Sequence, residues 1–285
     1  MPCSTVSPTT APAGSLFDIA GRVYVVTGAT GALAGSAAGY LAAQGARVVW
    51  LGRSQEKLDA ALAAVRAAAP TSENLALVAN VLDRPALERV RDTVLEKWGR
   101  LDGLLNGAGG NMPGATITPE KNFTDLDFDA FRQVVDLNLN GTVLPSLVFA
   151  PALIKGGRGA IVNFSSASAP QAITRVVGYS AAKSGVENFT RWLATDLARA
   201  TGGKVRVNAV MPGFFIGEQN RRLLTNEDGS LTARGKQVVA KTPFGRFGEA
   251  DELHGAIHYL LADASKFVTG TVLAVDGGFS TFSGV

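Results

Sequence analysis

Residues 23–35 have the sequence VYVVTGATGALAG, in which a short apolar run leads into a glycine-rich turn and then into an alanine-rich stretch. The β-branched and aromatic residues of the run are typical of a strand. The glycines allow the backbone to approach a pyrophosphate, and a helix that begins in the turn offers free N–H groups and the positive end of its dipole. Because the turn lies in the first strand–helix unit of the chain, it predicts a dinucleotide site. The residues expected to contribute are Thr27, Gly28, Thr30, Gly31 and Leu33.

The same alternation of apolar and amphipathic segments continues along the chain. Further strands are predicted at 47–51, 75–79, 101–105, 160–164, 205–210 and 272–275, and helices at about 32–44, 54–68, 84–98, 125–150, 178–200 and 249–262. Most of the strand segments are continuously apolar, which is typical of strands buried on both faces of a parallel sheet. The pattern predicts an α/β fold, a Rossmann-type doubly wound parallel sheet of about seven strands that binds its ligands at the carboxyl ends of the strands.

Two segments depart from the alternation. Residues 1–15 are rich in Pro, Ser, Thr and Ala and are predicted to be a disordered leader, so that residues 16–285 form a single dinucleotide-binding domain. Within that domain, residues 213–248 lack a strong periodicity. A stretch of about 35 residues of this kind predicts a lid over the substrate rather than a plain connection.

Composition narrows the possible partners and the location. The net charge is only +3, from 27 basic and 24 acidic residues that are scattered, so we expect no nucleic-acid partner. No apolar run reaches the roughly 20 residues that span a bilayer, so no membrane partner is expected either. Cys3 is the only cysteine, which fits a reducing, cytoplasmic location. His254 and His258 have a helical metal-ligand spacing but no evident third ligand, so no metal is predicted.

The end of the second predicted strand bears on the choice of nicotinamide cofactor. An acidic residue there would bond the ribose hydroxyls and repel a 2′-phosphate. This chain has Gly52 at that place, followed by Arg53 and Ser54. Since Arg53 is able to pair with a phosphate, NADP(H) is the favoured cofactor and NAD(H) is the alternative. The simplest other interpretation of Arg53 is that it only begins a solvent-exposed helix.

Later strand ends supply further candidate cofactor contacts. We expect contacts to adenine or adenosine after the third and fourth strands, and a close backbone approach to the nicotinamide carboxamide after the sixth; ordinary turn chemistry is the alternative. The residues concerned are Asn80, Val81, Asn106, Ala108, Gly109, Pro212 and Gly213.

Tyr179 and Lys183 are the candidate reacting groups. They are four residues apart, so on a helix they share one face. A free tyrosine has a pKa of about 10, and a fixed lysine charge beside it favours the phenolate. Ser166, at the end of the fifth predicted strand, is able to hold a substrate carbonyl near Tyr179, with Ser165 and Ser168 as rivals.

Asn138 is an amide in an otherwise apolar helical segment. A buried amide needs a partner, and a bond to backbone or water beneath Lys183 would supply one. The alternative is a polar core residue that is satisfied locally.

Taken together, these residues resemble the short-chain dehydrogenase/reductase family over about residues 17–280. The matching pieces are the Thr27–Gly28 turn, 106–109 (NGAG), Asn138, Ser166, Tyr179 and Lys183, Pro212 and Gly213, and 275–278 (VDGG). The resemblance implies an Asn138–Ser166–Tyr179–Lys183 tetrad, a nicotinamide cofactor and a homotetramer. Two departures stand out: Ala32 and Ala34 occupy glycine places of the family turn, and Asn80 stands where Asp is commoner.

Within the family, the second half resembles the D-mannonate oxidoreductase (fructuronate reductase) group. The pieces are 109–111 (GGN), 212–220 (PGFFIGEQN), 226–232 (NEDGSLT), 242–248 (TPFGRFG) and 283–285 (SGV). The resemblance implies that a keto group and a secondary alcohol are interconverted on a polar, sugar-acid substrate.

A sugar acid also needs a group that binds its carboxylate. Arg175, four residues before Tyr179, is the first candidate, and it is equally interpretable as a surface charge; Asn111, Gln219 and Asn220 are candidate hydrogen-bonding partners. Two alternatives remain open. One is a reductase of apolar ketones or 3-oxoacyl thioesters whose pocket Phe214 and Phe215 would line, and the other is a non-catalytic dinucleotide sensor.

Overall fold

The computed structural model describes residues 13–217 and 220–284, and in this part of the chain seven strands form one sheet. All six strand pairings are parallel, and the order is β3-β2-β1-β4-β5-β6-β7. The strands are β1 Val23–Thr27, β2 Arg47–Gly52, β3 Asn74–Val78, β4 Gly103–Asn106, β5 Gly159–Phe164, β6 Val205–Pro212 and β7 Val272–Val275. The predicted doubly wound parallel sheet is thereby confirmed.

Helices cover both faces of the sheet, which explains why its strands are continuously apolar. Every residue of β1 is buried. Tyr24 and Val26 belong to a core cluster on one face of the sheet, whereas Val23 and Val25 belong to a second cluster on the other. Since successive side chains of a strand point to opposite faces, one strand contributes to both cores and has no solvent-facing side.

The six predicted helices lie close to where the sequence periodicity places them, except that one of them is divided in two. Three short helices in the described part of the chain, at 13–16, 221–224 and 233–241, were not predicted. The helix bounds are α1 Ala13–Leu16, α2 Ala32–Ala43, α3 Gln55–Ala68, α4 Arg84–Trp98, α5 Phe128–Val135, α6 Gly141–Gly156, α7 Val177–Thr201, α8 Arg221–Leu224, α9 Ala233–Lys241 and α10 His254–Leu261. The helix predicted at 125–150 is two helices, α5 and α6, joined by a π-helical segment over Asp136–Asn140. Local capping sets other boundaries: Asp83 caps α4 and Gly99 ends it in the left-handed conformation.

The run Phe128–Gly156 is long and apolar enough, by length and composition, to cross a membrane. More than half of its most apolar window is buried, however, and Val148, Phe149 and Leu153 belong to the core cluster on one face of the sheet. It therefore has the character of a core helix, whose apolar composition is explained by packing.

The two ends of the chain segment that we predicted to be a lid meet at one place. Gly248 N donates to Phe214 O (2.9 Å), and Phe215 and Gly248 form an isolated parallel bridge. Between these points the segment contains α8 and α9, so it is more helical than its sequence indicates. Glu218 and Gln219 lie outside the described residues.

The predicted disordered leader also needs a correction. Residues 1–12 lie outside the described residues, but the last three residues of the predicted leader, 13–15, begin the short helix α1. Beyond α1, Ile19 is buried in the core.

Candidate active site

The glycine-rich turn after β1 packs directly against the turn after β4. Gly28 has a φ of 65°, and a Cβ on it would lie 2.7 Å from the Cα of Ala108. The Thr27 hydroxyl accepts hydrogen bonds from the N–H groups of Gly107 (3.1 Å) and Ala108 (3.2 Å). These contacts hold β1 to β4, the place where the strand order reverses and where open α/β sheets bind their ligands.

The N-terminus of α2 presents backbone donors beside this turn. Gly31 is the residue before the helix, and it makes no side-chain capping bond. The first N–H groups of a helix have no partner within the helix, so they remain free for a phosphate. Thr30 is exposed and Leu33 is half-buried. The cradle formed by Gly28 and Gly31 therefore fits the pyrophosphate of a dinucleotide.

The alanines that replace family glycines are accommodated by glycines opposite them. A Cβ on Gly107 would lie 2.5 Å from the Ala34 Cβ, so only glycine fits against this methyl. Ala32 faces Gly217 of the lid, on which a Cβ would lie 3.6 Å from the Ala32 Cβ. The methyl groups of Ala34 and Ala32 are therefore directed at Gly107 and Gly217. They do not fill the space at Gly28 and Gly31 that the pyrophosphate would occupy.

The predicted adenosine contacts divide into free and engaged side chains. Arg53 is exposed, with its side chain directed at no partner among the described hydrogen bonds. The Ser54 hydroxyl accepts from Lys57 N (3.3 Å) as the cap of α3, and the Asn80 Oδ1 accepts from Leu82 N (3.1 Å). Val81 is buried.

The Asn106 side chain is engaged inside the protein, so only its backbone is left for the predicted adenosine contact. Its side chain is 1% exposed, and its Nδ2 donates to the Ser146 hydroxyl (3.0 Å) and to the Asn163 Oδ1 (2.9 Å). The amide therefore points into the protein, where it links β4 to β5 and α6, and only the backbone of Asn106 is placed for a cofactor. Gly109, three residues on, is exposed.

Gly213 is fixed by the last strand of the sheet. Pro212 is the buried final residue of β6, and Gly213 N donates to Val275 O (3.0 Å). A Cβ on Gly213 would lie 2.7 Å from the Asp276 Cα. The backbone at this strand end is therefore positioned closely, as the prediction of a backbone contact to nicotinamide requires.

Lys183 is almost completely buried, with 3% of its surface exposed. Its Nζ donates to Phe164 O (2.7 Å), the last carbonyl of β5, and lies 5.5 Å from the centre of the Tyr179 ring. Burial lowers the pKa of Lys183 to about 8. Tyr179 and Lys183 thus share one face of α7, which is the face turned toward the end of β5.

The contact between α7 and β5 continues along the same face of the helix. Residues 179, 183, 187 and 190 recur at helical spacing, and each one meets a residue of the strand end. The pairs are Tyr179 with Ser166, Lys183 Nζ with Phe164 O, Glu187 Oε1 with the Ser165 hydroxyl (2.7 Å), and the Thr190 hydroxyl with the Asn163 Nδ2 (2.9 Å).

This arrangement separates Ser166 from its rivals. The Ser165 hydroxyl is buried and donates to Glu187, so its role is structural. The Ser168 N–H and hydroxyl both donate to the Ser166 Oγ, at 3.2 and 3.1 Å. Ser166 is the hydroxyl that reaches Tyr179, and Ser168 orients it.

The expectation that Lys183 lowers the Tyr179 pKa is corrected by the structure. Burial raises the pKa of the Tyr179 phenol, and the hydrogen bond with Ser166 opposes that rise only in part. The Lys183 ammonium is directed at Phe164 O and is itself disfavoured by burial. Burial disfavours the charged form of both groups, so the direction at Tyr179 is toward the neutral phenol.

Asn138 holds the turn that follows β4. Its carboxamide forms two hydrogen bonds with the backbone of Gly110: Oδ1 accepts from Gly110 N (3.1 Å), and Nδ2 donates to Gly110 O (2.7 Å). The Nδ2 also donates to Val134 O (2.8 Å). A Cβ on Gly109 would lie 2.6 Å from the Asn138 Oδ1 and 3.4 Å from the Lys183 Nζ. Asn138 therefore lies beside Lys183, as expected, but its amide is satisfied by backbone.

The predicted substrate residues have different surroundings. The Asn111 Nδ2 donates to the Thr116 hydroxyl (2.8 Å), and its Oδ1 is buried without a partner. Arg175 precedes α7 and has a φ of 82°. Asn220 is corrected, since its amide bonds Gly217 N and Phe215 O within the lid backbone (2.8 Å each). Gln219 lies outside the described residues.

The sequence analysis missed three polar side chains. Among the described residues, six buried side-chain polar atoms lack a partner, and four of them belong to segments that follow β4, β5 or β6. These four are Asn111 Oδ1, Gln171 Nε2, Ser180 Oγ and Arg234 Nε. Ser180 stands next to Tyr179, which was a usable signal, whereas nothing in the sequence distinguishes Gln171 or Arg234.

Known proteins share this architecture over nearly their whole length. The family model described as enoyl-(acyl carrier protein) reductase matches residues 28–280. The chain belongs to the short-chain dehydrogenase/reductase family. An uncharacterized oxidoreductase of Bacillus subtilis (strain 168), UxuB, is 42% identical over 277 residues, 94% of this chain and 98% of that protein. Gluconate 5-dehydrogenase of Gluconobacter oxydans (strain 621H) is 32% identical over 265 residues, 93% of this chain and 97% of that protein.

A solved structure agrees with these relatives. A Haemophilus influenza protein, provisionally described as a D-mannonate oxidoreductase and crystallised with bound NAD, has a TM-score of 0.86 at 36% identity, covering 94% of this chain and 98% of that chain. The family prediction is confirmed: this short-chain dehydrogenase/reductase is an NAD(P)-dependent oxidoreductase that acts on alcohol and ketone groups.

The packing of Gly107 against Ala34 is testable by a double-mutant cycle. Gly107→Ala places a methyl 2.5 Å from the Ala34 Cβ, so it should lower the free energy of unfolding by about 1–3 kcal/mol. Ala34→Gly in the same chain should restore part of this loss, measured by urea unfolding. Gly255→Ala is the matched control, because a Cβ there meets nothing within 4 Å. Strictly additive effects of the two changes would contradict the proposed contact.

Proposed function

We propose that this enzyme interconverts a keto group and a secondary alcohol on a sugar acid of the D-fructuronate/D-mannonate type. The observation that carries the proposal is the set of buried, unpartnered polar atoms on Asn111, Gln171, Ser180 and Arg234. An unpartnered buried polar atom is costly, and a hydroxyl- and carboxylate-rich substrate would supply the partners. The provisional description of the Haemophilus protein and the gluconate dehydrogenase support the same substrate class.

The apolar-substrate alternative has less support. Phe215 is buried and forms the bridge to Gly248 at the base of the lid. Phe214 packs edge-on against Phe279, with ring centres 5.1 Å apart. Both rings are thus engaged in holding the lid, although together with Phe244 and Phe247 they also line a small cavity. The sensor alternative is set aside because the chain is an oxidoreductase.

The proton chemistry is assigned to Tyr179 and Ser166. In reduction, the Ser166 hydroxyl donates a hydrogen bond to the carbonyl oxygen, and the Tyr179 phenol gives that oxygen its proton as the carbon is reduced. In oxidation, the Tyr179 phenolate takes the hydroxyl proton. A bound nicotinamide supplies or accepts the hydride and, when oxidised, carries a positive charge. The turn at Gly28 and Gly31, at the N-terminus of α2, would hold the pyrophosphate of the cofactor, and Lys183 and the backbone at Gly213 would hold its nicotinamide half.

We expect the two directions to have opposite pH dependences. Because burial raises the pKa of Tyr179, the phenol keeps its proton at neutral pH and is ready to act as the acid. The kcat/KM for ketone reduction should therefore be highest at neutral pH and fall as the phenol ionises, while alcohol oxidation should rise with pH. Because the pKa of the phenol lies above its usual value of about 10, profiles that extend from neutral pH to about pH 11 measure this. Tyr179→Phe should lower both rates by about 10²–10⁴-fold. An oxidation rate that does not change with pH would count against Tyr179 as the base.

Arg53 leads us to propose a preference for NADP(H). It is exposed directly after β2, and no carboxylate occupies positions 52–54. Arg53→Ala should lower kcat/KM for NADPH by about tenfold or more, because one charge-assisted hydrogen bond is lost. The kcat/KM for NADH should stay nearly unchanged. Arg66→Ala, on the exposed side of the same α3 helix, is the control. A wild-type preference for NADH that Arg53→Ala leaves unaltered would reject the proposal.

Substrate class is tested with hexuronates, aldonates, polyols and hydrophobic ketones, each with NADPH and NADH. We expect turnover of the sugar acids. Arg175→Ala should raise KM for the acid about 10-fold or more, because a charged hydrogen bond to a carboxylate is lost, and leave KM for an uncharged keto sugar unchanged. Arg132→Ala, an exposed arginine of α5, is the control. Equal KM changes for acid and uncharged sugar would show that Arg175 does not bind the carboxylate.

Two further properties complete the proposal. A role in carbohydrate metabolism in the cytoplasm follows from the substrate class and the single cysteine. Leu147 and Ile154 on α6 and Trp192 on α7 are exposed apolar side chains, and we propose that they lie in the subunit contacts of the homotetramer that the family resemblance implies. Light scattering should then give four times the 29.5 kDa chain mass.

A further inference from the structure

Arg234 connects the lid to the segment that precedes Tyr179. It lies in the first turn of α9, and its guanidinium makes two hydrogen bonds to one residue: Nη1 donates to the Thr174 hydroxyl (2.9 Å), and Nη2 to Thr174 O (3.3 Å). Thr174 is directly followed by Arg175. The lid helix therefore touches the substrate side of the site through a cation.

The two arginines form a pair of like charges. Burial lowers the pKa of Arg234 first, and the charge of Arg175, the residue after Thr174, lowers it further. Among the described residues neither side chain is in a salt bridge. The charge of Arg175 reaches Glu120, but that carboxylate is exposed and its pKa is lowered first by Thr118.

The geometry at both arginines is unfavourable unless something binds there. The Arg234 Nε is buried without a partner. Arg175 is the one non-glycine residue with a positive φ in the described part of the chain, and its carbonyl is held in that conformation by Ile117 N (2.9 Å). Residues in sparsely populated backbone conformations cost of order 1–3 kcal/mol and cluster at ligand-binding sites.

A carboxylate accounts for two of these features, the unpartnered Arg234 nitrogen and the pair of like charges. It accepts paired hydrogen bonds from a guanidinium, so it is able to engage the Arg234 Nε. Placed between two cations, it also converts their repulsion into attraction. Among the described residues no carboxylate forms a salt bridge with either arginine, whereas a sugar acid carries a carboxylate at the end of its carbon chain.

We propose that Arg234 is a substrate-binding residue of the lid: with Arg175 it binds the carboxylate of the substrate, so that the substrate fastens α9 against the Thr174–Arg175 segment. This inference rests on the proposed sugar-acid function. Arg234 would thus give the substrate carboxylate a second contact, from the lid, in addition to Arg175. Closure of the lid would then depend on the charge of the substrate. A simpler role is also testable, since the bonds to Thr174 would serve as a latch without any substrate contact.

The test compares D-fructuronate with D-fructose, an uncharged keto sugar, in wild type, Arg234→Ala and Arg234→Lys. Arg234→Ala should raise KM for fructuronate by about 10- to 100-fold, the loss of a charged hydrogen bond, and leave KM for fructose within about twofold. Arg234→Lys keeps the charge and should recover part of the loss. Arg222→Ala, an exposed arginine of α8 in the same lid, is the matched control. Circular dichroism confirms that each variant is folded.

Hydrogen exchange gives a second readout. Fructuronate should slow the exchange of α9 amides in wild type but not in Arg234→Ala, and fructose should not slow it in either. Equal KM increases for both sugars in Arg234→Ala would mean that Arg234 is only a latch, and an unchanged fructuronate KM would equally overturn the inference. Wild type that turns over only uncharged or apolar carbonyls would instead reject the proposed function and the inference together.

Discussion

The site depends on how a buried ammonium is satisfied. An ammonium cannot be buried without a partner, and the described partner of Lys183 is Phe164 O, the last carbonyl of β5. This bond fixes the distance between α7 and the strand end. Since Tyr179 lies one helical turn before Lys183, the same bond brings the phenol to Ser166, two residues beyond Phe164. The approach of Tyr179, the proposed proton donor, to Ser166 is thus a consequence of the way in which one helix is attached to one strand.

The attachment is reinforced by polar contacts where apolar packing would be expected. Glu187 and Thr190 bond Ser165 and Asn163, and Asn163 in turn accepts from Asn106 of β4. Buried hydrogen bonds have directional requirements that apolar contacts lack, so a slip of α7 along the sheet by one residue would leave several of them unmade. We infer that these polar residues fix the register of α7.

The fold was largely predictable, because its signal is the period of apolar residues, which each segment carries by itself. The strand segments and the order of helices followed from that period. The π-helical segment around Asn138 was not predictable, since it depends on the fit of the Asn138 amide to Gly110, a residue of another segment. The helices of the lid were missed for a related reason: α8 is a single short turn, and α9 carries few apolar residues.

Sequence analysis identified site residues correctly where the local backbone conformation restricts the residue type. It failed where the hydrogen-bond partners of a side chain come from segments that are distant in the sequence. A glycine at positive φ such as Gly28 belongs to the first class. Asn106 and Asn220 belong to the second, because the side-chain amide of each one has its hydrogen-bond partners inside the protein.

Arg234 is the opposite case. Its sequence context is an ordinary solvated helix, yet folding brings it beside Arg175 and buries one of its nitrogens. A charge that folding leaves without a salt bridge at the edge of the site supports the proposal that the substrate is an anion.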